Sequence, residues 1–443
     1  MYDLLICNAS IIDGTGQAPF DGDLLVRDGR IASVGSVGSV GSVGEESDIQ
    51  TVDATGLTLM PGLIDAHCHI TFDEPRSNDE LFFHRRAGLA AIIAARNVQR
   101  LLRAGVTGFL DADCIYDLGV DLRDAIESGV IEGPRMSTGG YALLTSVGGT
   151  AGQLIPDTGT RGYAKIVSSP AEITAEVRRQ VKTGVDWIKV HVTGLIPRQR
   201  DAGEIQAWSL DELRRVCDTA HELGVPVVGH CRNPTSIRNS VRAGMDMILH
   251  ATFMDEPTLE EVIEAKVPLV PTFTFQANLA DYGDQVGANP DLREVFRREI
   301  EDSAQTLRRA YDAGVPLLCG SESGFSLTPY GDWHYRELQV FVEALGLTPL
   351  QAISCATREC AVALGLAGQV GELTEGQLAD LLLFDGDPAA DVKILGERSR
   401  IKAVYVGGRA IDLEDRDPPR RPIAGWRTSA YSDAILRRRD VLD

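Results

Sequence analysis

The sequence is short of positive charge: 43 Lys and Arg stand against 64 Asp and Glu, a formal net charge of −21. Nucleic-acid binding needs clustered Lys and Arg to meet phosphates, so that partner class is excluded. The acidic balance reads as solubility. Long hydrophobic runs are missing as well. No stretch reaches about 18 apolar residues, so no membrane-spanning helix is expected. The opening MYDLLICNASIIDGTG has no basic stretch leading into an apolar one, and no secretory signal is expected. Paired cysteines are also absent. Cys7, Cys68, Cys114, Cys217, Cys231, Cys319, Cys355 and Cys360 are scattered without any C-x-x-C spacing. That scatter points to reduced thiols in a cytoplasmic protein rather than to a disulfide framework.

What is present is an ordinary globular composition, 44% hydrophobic and 24% charged. At 443 residues the chain accommodates one barrel of about 250 residues plus a smaller unit. Residues 1–58 read as short β-rich runs broken by Gly and Asp turns. Within them SVGSVGSVGSVG, Ser33–Gly44, repeats a three-residue unit four times and reads as an extended surface hairpin loop. Over residues 59–365 the texture changes to apolar runs alternating with amphipathic stretches. The strand candidates are GLIDAHCHI, VTGFLDAD, RMSTGG, WIKVHVTG, VPVVGHC, MILHAT, PLVPTFT and VPLLCGSE. The helix candidates include AEITAEVRRQVKTG, SLDELRRVCDTAHELG and REIEDSAQTLRRAYDAG. Such alternation predicts βαβ units, and eight strands fit a (β/α)8 TIM barrel. After residue 366 β-rich runs return. The expected fold is therefore α/β: a barrel over 59–365, with a small β-sandwich domain built from 1–58 and 366–443 at the two chain ends. The Pro- and Arg-rich tail is expected on the surface or in a subunit contact, with homo-oligomerisation.

Polar residues close the candidate strands, at the end where barrel active sites sit. His67 and His69 lie two apart and so face the same side of a strand, with Cys68 facing away. Two imidazoles placed this way can share a metal ion, although H-x-H alone is a weak motif. Lys189 sits inside the apolar run DWIKVHVTG. Either its ammonium escapes to the rim or pairs with an acid, or CO2 converts it to an anionic carbamate able to bridge two cations. His230 and His250 each end an apolar run. Each alone equally describes a hydrogen-bonded core histidine. Together with the others they suit Zn or another first-row divalent ion. Glu322 ends VPLLCGSE, where a carboxylate can take a proton from water and pass it to a leaving nitrogen.

The ordered set LMPGLIDAHCHI, WIKVHVTG, HELGVPVVGHC, AGMDMILHATFMDEPTLEEV, VPLVPT, AISCATRECAVALGL and GELTEGQLADLLLFDGDP resembles the amidohydrolase superfamily, most of all its imidazolonepropionase-like and prolidase-like members. The resemblance spans nearly the whole chain. It implies a binuclear centre, with Zn expected and Co, Mn or Fe as alternatives. His67 and His69 match the ligands of the more buried ion, Lys189 the bridging carboxylated lysine, and His230 and His250 the ligands of the more exposed ion. Deaminases of the superfamily usually lack the strand lysine and carry H-x-x-E; here that stretch reads HCRN from His230. The chain resembles the hydrolase branch. Glu322 stands where the family has Asp as metal ligand and base. The extra methylene moves the carboxylate by about 1.5 Å, and misplacement on that scale costs roughly a hundredfold in rate. Tyr141, after STGG, is a candidate oxyanion donor. Tyr141, His191, Arg198, Arg200, Tyr330 and His334 are candidates for contacting a small-molecule substrate, the arginines through a carboxylate.

The expected activity is metal-assisted hydrolysis of an amide, dipeptide, N-acyl amino acid, carbamate or urea. Glu322, His250 and Tyr141 are its catalytic candidates. The alternatives are a cyclic-amide hydrolase or deaminase, and a metal-binding pseudo-enzyme altered by Glu322.

Overall fold

In the computed structural model, residues 3–36, 38, 49–77, 86–149, 152–159, 162–194, 204–414 and 434–442 are described. Arg198, Arg200 and most of both the SVG repeat and the Pro- and Arg-rich tail lie outside them. Among the described residues, three sheets organise the chain.

The first draws on both chain ends. Strands β1 (Leu4–Ile11), β2 (Phe20–Arg27) and β3 (Arg30–Ser36) are antiparallel neighbours, and β4 (Gln50–Asp53) and β5 (Thr58–Pro61) run parallel to β1. Alternation along β1 buries Leu4, Ile6, Ala9 and Ile11. Its register shifts between Ile6 and Ala9, where Asn8 has φ 61°. The inserted residue keeps both halves facing one core, as a β-bulge does. Asp28-Gly29, with φ 51° and 77°, turns β2 into β3. Positive φ at both positions is the hairpin geometry that Asp-Gly favours.

The next strands are parallel. β6 (Leu63–Cys68), β7 (Val106–Asp111) and β8 (Arg135–Thr138) pair in that order. β9 (Ala142–Leu144), β10 (Ala164–Ile166), β11 (Ile188–His191), β12 (Val227–Cys231), β13 (Met247–His250) and β14 (Leu269–Val270) form a second parallel sheet, ordered β10-β9-β11-β12-β13-β14. Every residue of β6, β7, β11, β12 and β13 is buried, as expected where both faces of a parallel sheet are covered. The two sheets meet at two seams. Thr138 O accepts from the amides of Asp186 and Trp187 at 2.9 and 3.2 Å. On the other side, Leu318 N donates to Leu269 O, Ala66 N to Cys319 O, and Glu322 N to His67 O, at 2.9, 2.9 and 2.7 Å.

Helices follow the strands with the expected signals. Ser169 caps Pro170–Thr183, and Gly184 at φ 102° ends it. Ser209 and Glu212 form a capping box on Leu210–His221. Finally β15 (Leu381–Phe384), β16 (Ile401–Val406) and β17 (Arg409–Ala410) return to the first sheet, β15 pairing antiparallel with β5. A separate apolar cluster joins Leu4, Ile6 and Leu24 to Leu381, Leu383 and Tyr405.

Two strand expectations need correction. VPLLCGSE is not a continuous strand: it forms a bridge only at Leu317, and the next bridge to β6 comes at Ser323, just beyond it. It passes too close for a regular ladder, since a Cβ on Gly320 would lie 2.5 Å from Val270 Cγ1 and 2.8 Å from His67 Cβ. Glu322 then turns the backbone at φ 53°. In PLVPTFT only Leu269 and Val270 are strand, and a helix starts at Thr274. β9 and β10 were not anticipated, because three residues carry no readable period of two. Among the described residues, no helix is long and apolar enough to cross a membrane.

Candidate metal centre

The strand ends converge. His67 is the last residue but one of β6, His250 closes β13, and Glu322 ends the seam segment. One ligand atom from each lies within 4.8 Å of the others. The rings of His67 and His69 are 5.0 Å apart, those of His67 and His250 5.3 Å, and those of His230 and His250 4.4 Å. Histidines from three separate parts of the chain thus form a row of neighbouring rings, His69–His67–His250–His230. His250 is fully buried, yet neither ring nitrogen has a hydrogen-bond partner. A buried polar group left unpaired is expensive. One His250 nitrogen lies within 4.8 Å of ligand atoms of His67 and Glu322, and such a donor set fits a first-row divalent ion.

The other histidines are held by one nitrogen each. His67 Nδ1 lies 3.0 Å from Thr272 Oγ1, whose own hydrogen goes to Val270 O. The threonine oxygen must therefore accept from Nδ1–H, which leaves Nε2 with its lone pair. His69 Nδ1 lies 2.7 Å from Asp113 Oδ1, so its Nε2 is likewise left over. Metal-binding histidines characteristically give their second nitrogen to such a partner.

Asp113 went unnoticed in the sequence, inside VTGFLDAD. It lies two residues past the end of β7 and collects His69, His191 Nε2 at 2.9 Å, and Lys189 Nζ at 3.8 Å. Burial opposes its charge, but His69 and Lys189 outweigh burial and hold the carboxyl well below the usual range. Burial holds His67 and His250 well below the usual imidazole value, with cationic neighbours adding to it. Both are therefore neutral, as ligation requires. His69 goes the other way: burial is outweighed by Asp113 and Glu322, and its value is raised. Burial lowers Lys189, which is 1% exposed. It raises Glu322, against the pull of His69 and His230.

His191 stacks on His230 at 4.8 Å and 9°, while burial brings its value down to about 4. Arg232, just past β12, was also unmarked in the sequence. Its guanidinium pairs with Glu299 at 2.5 Å and Glu204 at 3.3 Å. Aromatic rings flank His69: Phe72 stacks on it at 4.3 Å, and Phe325 meets its edge at 5.8 Å.

The remaining described candidates make the following contacts. The Arg179 guanidinium lies 5.7 Å from the Tyr141 ring, and Gln180 donates to the Tyr141 carbonyl. Tyr330 donates its hydroxyl to His69 O at 2.6 Å, beneath the strand backbone. His334 contacts Asp65 and accepts from Gly331 N. Its grouping is with Asp65 and Cys68 rather than with His67, His250 and Glu322. The side chains of Asp65 and His334 already have hydrogen-bond partners there, so that group is structural.

Comparison with known proteins gives the chain a family. The chain is 27% identical over 419 residues to ochratoxinase of Aspergillus niger, covering 90% of this chain and 84% of that one. It is 26% identical over 403 residues to imidazolonepropionase of Ralstonia nicotianae, covering 87% and 91%. Among solved structures it is similar to a Xaa-Pro dipeptidase with methionine bound in its active site: TM-score 0.78, 27% identity, 93% and 100% coverage. The A. niger ochratoxinase structure matches at TM-score 0.80, 25% identity, 92% and 95% coverage. The model of the amidohydrolase family matches residues 58–411, and the chain belongs to that family of C–N bond hydrolases.

Proposed function

We propose that this protein is a metal-dependent hydrolase that cleaves an amide, dipeptide, N-acyl amino acid, carbamate or urea C–N bond. The observation that carries the proposal is His250, buried with both nitrogens unpaired among His67, Glu322 and His230. The reading takes the two parallel sheets as one closed (β/α)8 barrel over 59–365, which the hydrogen bonds at both seams support. It takes 1–58 and 366–443 as a β-sandwich domain, which the shared first sheet and its separate core support.

His67, His69, Lys189, His230, His250 and Glu322 would hold two divalent ions, Zn being the first expectation. Such ions supply Lewis acidity, which acidifies water and polarises a carbonyl. Lys189 contributes if its neutral amine adds to CO2, forming an N–C bond and losing a proton to leave an anionic carbamate. The lowered affinity of Lys189 for protons favours the neutral amine this step needs. Glu322 takes the proton of the attacking water and delivers it to the departing nitrogen. Its raised value suits a group that must both gain and release a proton. Asp113 orients His69 and His191. Phe72 and Phe325 make an apolar flank beside His69, which favours a substrate with an apolar group next to the scissile bond.

The test is metal analysis of the purified chain, followed by turnover on a panel of N-acyl amino acids, Xaa-Pro dipeptides, carbamates and ureas. Hydrolysis that depends on bound metal supports the reading. Bound metal with no turnover on any member leaves the pseudo-enzyme, and ammonia released from a cyclic amino-substituted substrate added to the panel leaves the deaminase.

A further inference from the structure

Glu204 precedes the helix Leu210–His221, and nothing in the sequence marks it. Its carboxylate is nonetheless built into the wall of the site, with the side chain 10% exposed. Thr193 Oγ1 donates to Oε2 at 2.5 Å, and His230 Nε2 lies 2.9 Å from the same oxygen. Arg232 Nε is 3.3 Å from Oε1, and Asn233 Nδ2 pins the Glu204 carbonyl at 3.1 Å. Arg232 does not depend on this contact for charge balance, because Glu299 already takes its Nη2 at 2.5 and 2.7 Å.

A carboxylate can only accept, so the shared hydrogen belongs to His230 Nε2. In the neutral ring the lone pair is then on Nδ1. This is the reverse of His67 and His69, whose Nδ1 atoms are engaged and whose Nε2 atoms are left. We propose that Glu204 is a positioning residue for the metal centre: it fixes His230 in the Nε2–H tautomer, so that His230 meets a divalent ion through Nδ1. Stacking on His191 holds the plane of the ring while Glu204 sets its rotation. The inference rests on the metal centre proposed above.

Replacing Glu204 by Gln offers His230 either an acceptor or a donor, so the tautomer is no longer set. The experiment equilibrates the full-length wild type and Glu204→Gln with Zn2+ against graded chelator and counts bound metal. Histidine 15N shifts report the tautomer independently of turnover. The expected result is a 10–100-fold loss of affinity for one ion, the range for removing such a partner, with loss of the uniform Nε2–H signal. Unchanged affinity together with an unchanged His230 tautomer overturns the inference while the metal reading stands. A wild type that binds no divalent ion overturns both. If Glu204→Gln does not fold, Thr193→Val removes the hydroxyl that fixes Oε2. It should weaken the same ion by about fivefold, less than the full worth of a hydrogen bond to a charged group because it acts only through Glu204, and no change there also overturns the inference.

Discussion

His334 Nδ1 lies 2.7 Å from Asp65 Oδ2, joining residues 269 positions apart. Asp65 also accepts from His67 N at 3.1 Å, from Ser321 N at 3.0 Å and from Ser321 Oγ at 2.5 Å. One carboxylate therefore ties the backbone of His67 to the residue before Glu322. Breaking a buried pair on one side costs about 3–5 kcal/mol. Asp65→Asn should lose stability on that scale in urea denaturation. A loss under about 1 kcal/mol would show that the clamp carries no structural load.

Glu322→Ala should lower kcat by about 10²–10⁴ on any substrate the wild type hydrolyses, the usual worth of a general acid–base group. Folding should be unaffected by circular dichroism. An unchanged kcat removes Glu322 as the base. Glu322→Asp tests arm length separately, because the shorter chain withdraws the carboxylate from a cluster whose ligand atoms now lie within 4.8 Å.

Exhaustive dialysis against a chelator should abolish hydrolysis, and Zn2+, Co2+ or Mn2+ should restore it. His250→Ala should bind fewer ions per chain by elemental analysis. Equal metal content in His250→Ala would contradict the role drawn from its two unpaired nitrogens.

Burial pushes the Asp111 carboxyl up to about 8 from an ordinary 3.8. The folded state thus keeps a proton that the unfolded chain releases. The associated stability is complete below about pH 4 and is lost as pH rises through about 8. Asp111→Asn cannot ionise, so its stability relative to wild type should improve steadily between pH 5 and pH 8.5 in urea melts, these two values being roughly the limits of the titration window. Parallel stability curves for the two proteins would sink this prediction.

Much of the arrangement was legible in the primary structure. Apolar runs ending in His67, His230 and His250 become β6, β12 and β13, because fully buried parallel strands must be apolar throughout and their polar ends stand out. Asp113 and Glu204 were not legible. An acidic residue in a loop looks the same whether solvent or a histidine receives it. Tyr330 and His334 had the right chemistry and the right neighbourhood, but they turn to backbone and to Asp65.

The sequence by itself determined the family and the broad alternation of strands and helices, and it pointed to the ligand-type residues, since these follow from local periodicity and residue chemistry. Only the tertiary structure decided which nitrogen each histidine has left, that Glu322 reaches His67 and His250 despite its extra methylene, and that Asp65 rather than the site receives His334. Those outcomes depend on atoms brought within 3 to 5 Å from distant parts of the chain, and no local pattern encodes such distances.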